Sequence, residues 1–171
     1  MSWKLCVMMK VGVRKKEHKG RETREVKAVL NLLQVSIIFR DTDMVKTILE
    51  LLTNHDNFDG SSMFTESLTF PRDQDQEVIE NLTNYCIWIK EACAIHLATF
   101  WHCESLAYLL KMKPELGNQG TKTLDIKPLH IAAALDNVSV IRLLIHCKVG
   151  YFFTELCKLF TNLANICNFG T

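Results

Sequence analysis

The sequence predicts an all-α protein built from stacked helical hairpins, and three observations carry that prediction. The first is the stretch Lys127-Pro128-Leu129-His130-Ile131-Ala132-Ala133, which continues through Asp136-Asn137 into Val140-Ile141-Arg142-Leu143-Leu144-Ile145. A proline able to start a helix, alanines small enough for close helix contact, a polar break and a second apolar run describe a helix-turn-helix unit. The second is recurrence at a fixed period. One unit upstream, Ala94-Ile95-His96-Leu97-Ala98-Thr99 precedes Leu106-Ala107-Tyr108-Leu109-Leu110. The step from His96 to His130 equals the step from Leu109-Leu110 to Leu143-Leu144, so a Leu-Leu pair follows each histidine at one and the same distance. The third is a helical apolar pattern nearer the N-terminus, with Val26, Val29, Leu30, Leu33 and Ile37 at spacings of three and four, then Met44, Ile48, Leu51 and Leu52. Polar Arg40-Asp41-Thr42-Asp43 separates the two runs, with Thr42 or Asp43 as the expected cap of the second helix.

The two downstream units resemble the ankyrin repeat, whose helix-turn-helix unit carries a Thr-Pro-Leu-His-x-Ala signature at a similar period. The resemblance spans residues 93 to 149. It implies a short ankyrin-like solenoid, with His96 and His130 as framework residues that hydrogen-bond backbone and neighbouring hydroxyls between repeats. The departures from the family are Lys127 for the usual Thr, Ala94 for the usual Pro, Pro114 near the usual Gly, and Asp125 and Glu91 at the place of the hairpin Gly. Overlaying the N-terminal helices on the same frame places Gln34 where the histidine sits, so that repeat is degenerate.

Gln34 and His96 are separated by nearly twice the step from His96 to His130. The excess reads as a long loop insertion at 54–80, where insertions in stacked repeats project from the loop side. Phe58, Phe64 and Phe70 along it make it either a docking element or an extension that packs back on the nearest helix. The expected organisation is a basic, poorly ordered N-terminal tail over 1–25, a repeat domain over 26–150, and an amphipathic capping helix over 151–171. That last helix carries Phe152, Leu156, Leu159, Phe160, Leu163, Ile166 and Cys167 on one face.

Composition fits a folded chain of one domain: 171 residues, 48% hydrophobic and 23% charged. The net charge of +1 hides two opposed segments. Residues 1–27 hold nine Lys/Arg against three Asp/Glu, and residues 54–80 hold one Arg against seven Asp/Glu. The basic run at 14–27 reads as a solvated tail rather than a nucleic-acid patch, because glutamates interrupt it and it lacks aromatics. Seven cysteines without a Cys-x-x-Cys pair point to reduced thiols of a cytosolic or nuclear protein. The opening Met1 to Val13 is a poor signal peptide, and no apolar run is long enough to span a bilayer.

The sequence predicts no enzyme, no cofactor and no metal site. The pairs His102-Cys103 and His146-Cys147 are the obvious metal or thiol candidates, but neighbouring side chains on a helix diverge by about 100° and no third, orienting residue stands nearby. What remains is protein binding. In the family that the chain resembles, the two positions after the small-residue signature face the concave groove; here they are Ala134 and Leu135, Phe100 and Trp101, and in the degenerate repeat Ile38 and Phe39. These six apolar residues are the candidate protein-binding surface. The expected function is a scaffold that binds another protein through the groove and hairpin tips of ankyrin repeats, with no small-molecule substrate and no membrane partner. The alternative is a substrate adaptor of a cullin-type ubiquitin ligase, on the Leu-x-x-x-Cys spacing of Leu163-Ala164-Asn165-Ile166-Cys167, although Asn162 and Thr171 depart from that box.

Overall fold

A computed structural model describes residues 4–14, 21–54, 61–72, 76, 79–80, 87–101 and 103–147. Its chain divides by its own contacts into two compact units, Met1–Ala94 and Ile95–Thr171.

The first unit opens on a β-hairpin. Strand β1 (Lys4–Arg14) pairs antiparallel with β2 (Arg21–Asn31), in a register that sets Lys4 against Asn31 and Arg14 against Arg21. The all-α solenoid predicted from the sequence is therefore corrected to a mixed architecture of helices with a two-stranded antiparallel sheet, in which no solenoid is found among the described residues. The reason lies in residues 25–30. Val26, Ala28 and Leu30 are buried while Glu25 and Lys27 are exposed, a period of two that marks a strand with one covered face. The same stretch also satisfies a helical spacing through Val26, Val29 and Leu30, and the apolar partner strand β1 decides between them. Residues 21–25, expected in a solvated tail, are thus part of the sheet, and the helix expected from Val26 begins only at Leu32.

Strand β2 passes into α1 (Leu32–Ile38) without a loop because Asn31 caps it. The Gln34 N–H donates to Asn31 Oδ1 and the Asn31 N–H donates to Gln34 Oε1, both at 2.9 Å, a reciprocal box that satisfies two donors at the helix start. Helix α1 ends in a tight turn at Phe39-Arg40-Asp41, with Arg40 left-handed at φ 59°. Then α2 (Thr42–Asn54) begins with Asp41 as its cap, its Oδ1 accepting from the Met44 N–H at 2.9 Å, in place of the expected Thr42 or Asp43. The buried stripe of α2 is Val45, Ile48 and Leu49, whereas Met44 and Leu51, assigned to the core from sequence, are exposed.

The acidic stretch is not a loop throughout. Helix α3 (Ser61–Thr65) and the extended segment after it fill the interior with Met63, Phe64 and Leu68. Thr69 exchanges two backbone hydrogen bonds with Val29 on the outer side of β2, and the Leu68 N–H donates to Ala92 C=O at 3.0 Å. Phe70 packs against Val26 and Ile79. Phe64 is therefore part of the core and no docking residue; Phe58 lies outside the described residues.

The second unit contains two helical pairs. The first is α4 (Ala94–Trp101) with α5 (Cys103–Met112), and the second is α6 (Pro128–Ala134) with α7 (Val138–His146). The first residues of α4 and α6, Ala94 and Pro128, are separated by the same step as His96 and His130, as the sequence period predicts. Ile95, Leu97, Leu106, Leu109, Leu110, Ile131, Val140 and Leu144 form the interior; Leu143 is only half-buried. Between the pairs, Thr121 and Ile126 close a turn through mutual bonds: the Thr121 N–H donates to Ile126 C=O at 3.2 Å and the Ile126 N–H donates to Thr121 Oγ1 at 3.1 Å. The capping helix expected at 151–171 lies outside the described residues.

Candidate functional site

The α1–α2 and α6–α7 connections are the same turn made twice. The Phe39 N–H donates to Val35 C=O, Arg40 to Ile37 and Asp41 to Ser36; correspondingly Leu135 donates to Ile131, Asp136 to Ala133 and Asn137 to Ala132, all between 2.9 and 3.1 Å. Arg40 and Asp136 are both left-handed, at φ 59° and 51°. Asp41 caps α2, and Asn137 caps α7 by accepting from the Val140 N–H at 3.1 Å. The short chain reversal forces the residue before the left-handed position outward, since its side chain leaves the helix at the last helical turn.

That outward residue is large and apolar in both copies. Phe39 is 67% exposed and Leu135 is 42% exposed, although each sits beside a well-packed helix. Of the remaining candidates, Ala134 is exposed and Ile38 is half-buried. Phe100 and Trp101 are half-buried at the end of α4 and lie edge to face, with ring centroids 4.6 Å apart and planes at 67°. Ile38 and Phe39 belong to the first unit; the other four belong to the second. Met44 and Val138, exposed close to the two turns, were missed as surface residues by the sequence reading. For Met44 the available signal was the better stripe of Val45, Ile48 and Leu49 behind it.

Three buried side chains fix the starts of the first helices α1, α4 and α6. His96, in α4, places Nε2 3.0 Å from Ile126 C=O, and because a carbonyl only accepts, Nε2 carries the proton. His130, in α6, accepts the Lys127 N–H on Nδ1 at 3.0 Å. Gln34, in α1, combines both actions: Oε1 accepts the Asn31 N–H three residues back, and Nε2 donates to Glu66 C=O at 2.6 Å. The histidine position is thus occupied in the first unit by a different residue with equivalent donor and acceptor atoms.

Among the described residues no three His, Cys, Asp or Glu side chains gather closely enough to hold a metal ion. His146 ends α7 and Cys147 follows it half-buried, while His102 lies outside the described residues. An open recess of about 340 Å³ in the first unit, between Leu68, Phe70, Pro71, Arg72, Ile79 and Lys90, includes no carboxylate, histidine or cysteine among the described residues of its lining. Among the described residues no helix is long and apolar enough to cross a membrane. The adaptor-box residues 163–167 lie outside the described residues. No protein-family model, curated protein or solved structure matches the chain.

Proposed function

We propose that the chain is a non-enzymatic interaction module that binds another protein through apolar side chains at the ends of its short first helices. Leu135 is the leading contact of the second unit, where the Phe100–Trp101 pair is an aromatic anchor, and Phe39 is the leading contact of the first unit taken by itself. The observation that carries this reading is the repeated turn: two connections with one hydrogen-bonding scheme each hold a large apolar residue out in water. Exposed aromatic and aliphatic groups on a rigid frame are what binding hot spots require, because little side-chain entropy remains to be lost on contact. The recurrence that relates His96 to His130 supports a relationship of residues 93–149 to ankyrin repeats.

The test is an affinity capture with the full chain, followed by binding measurements on the captured protein. Trp101→Glu and Leu135→Glu are expected to keep the helical circular dichroism and to weaken binding by about thirtyfold or more. Met112→Glu, exposed at the end of α5, serves as the control and is expected to bind normally. Unchanged binding by folded Trp101→Glu and Leu135→Glu would overturn the reading.

A further inference from the structure

Strand β1 is 11 residues long and pairs along one side with β2. Val29 directs both its N–H and its C=O outward to Thr69, at 2.7 and 3.1 Å, so the pair Cys6↔Val29 is a non-hydrogen-bonded one. The alternation of an antiparallel ladder then turns the backbone groups of Lys4, Cys6, Met8, Lys10, Gly12 and Arg14 toward the outer edge of β1. Among the described residues no strand pairs with that edge, whereas Thr69 engages the opposite edge of the hairpin.

The apolar face of the hairpin also stops short. Leu5 lies opposite Leu30 and Val7 opposite Ala28, and cross-strand partners share a face. Leu30 and Ala28 are fully buried, yet Leu5 is 44% exposed and Val7 is half-buried. On the other face Met8 is 52% exposed. A long, apolar strand edge of this kind is a template for another strand, and a two-stranded hairpin gains more from a third strand than a larger sheet does.

Charge selects the occupant. Strand β1 carries Lys4, Lys10 and Arg14 and no Asp or Glu, and Lys4 is paired with Glu66 across from it in the fold. A second copy would bring the same positive residues to this strand, whereas an acidic segment would complement them. We propose that the outer edge of β1 receives an added β-strand from a partner protein, an extended segment in which apolar side chains alternate with Asp or Glu. Its backbone completes the ladder on the outward groups of Cys6 and Met8, its apolar side chains extend the covered face over Leu5 and Val7, and its carboxylates meet the basic charge of the hairpin.

The test uses the full chain and a blocked synthetic peptide of alternating Glu and Val, followed by fluorescence anisotropy. The peptide is expected to bind, with affinity that falls as salt is added. A Lys-for-Glu peptide, and a peptide N-methylated at alternate residues so that its backbone donors are removed, should each bind about tenfold more weakly or worse. Met8→Pro removes an outward N–H that the hairpin itself does not use, and should weaken the Glu-Val peptide similarly while the circular dichroism is retained. Failure of the Glu-Val peptide to bind, or equal binding by its N-methylated form, would overturn the proposal whatever the variant's folding. A dimer of the chain alone that Met8→Pro dissociates would also overturn it, in favour of a second copy as the occupant.

Discussion

The Gln34 side chain donates from Nε2 to the carbonyl of Glu66, 32 residues later, at 2.6 Å. His96 makes the corresponding bond to Ile126, 30 residues later, at 3.0 Å. Both donor side chains are about 1% exposed. An amide and an imidazole thus perform one task, which is to tie the start of a helix to the chain that returns later within the same unit.

Removing that tie should cost more than a typical core substitution of the same size. Gln34→Ala strands the Asn31 N–H and the Glu66 carbonyl and is expected to destabilise by about 2–4 kcal/mol, with His96→Leu costing about 1–3 kcal/mol. Gln34→His supplies an acceptor and a donor on opposite ring nitrogens and should cost about 1 kcal/mol or less. Denaturant unfolding of the three variants checks the order; a Gln34→His as damaging as Gln34→Ala would contradict the equivalence.

The two matched turns differ in how well their left-handed residue suits the conformation. Arginine carries the full steric penalty of a positive φ, while aspartate tolerates it better. Arg40→Gly should therefore stabilise by about 0.5–1 kcal/mol, and Asp136→Gly by less. Truncating either cap, Asp41→Ala or Asn137→Ala, should destabilise by about 1 kcal/mol. Melting temperatures of the four variants give the comparison.

The strand at 21–31 makes a sharper test, because the helical and strand readings of its apolar residues disagree at adjacent positions. Helical spacing assigns Val29 to the core and leaves Ala28 outside it; the sheet buries Ala28 completely and Val29 only partly. Ala28→Asp should thus cost about 3 kcal/mol or more by burying a charge, while Val29→Thr should change stability by about 1 kcal/mol or less. Equilibrium unfolding that reverses this order would restore the helix.

The helical pairs of the second unit were legible because two copies of one pattern check each other: His96 with His130, and Leu109-Leu110 with Leu143-Leu144. Single copies lacked that check. Val26, Val29 and Leu30 satisfy both periods, and only the pairing with β1, a contact between distant residues, selects the strand. The burial of Phe64 was hidden for a related reason, since an acidic, glycine-containing stretch reads as a loop until Met63, Phe64 and Leu68 find the interior prepared by β2 and α1. At the candidate site, the overlay that equated Ile38-Phe39 with Ala134-Leu135 needed only the spacing of the turns, which the backbone bonds share. The role of Gln34 is not legible in the sequence because its position requires a donor and an acceptor, which an amide and an imidazole supply equally.

The central claim, that the turn residues are the binding contacts, is tested most directly by hydroxyl-radical footprinting of the chain with and without its captured partner. Side-chain oxidation reads Phe39, Trp101 and Leu135 individually, with Leu51 and Met112 as exposed internal controls. Binding is expected to protect Phe39, Trp101 and Leu135 and to leave the oxidation of Leu51 and Met112 unchanged. Protection confined to the controls, with Phe39, Trp101 and Leu135 all still oxidised at the free rate, would contradict it.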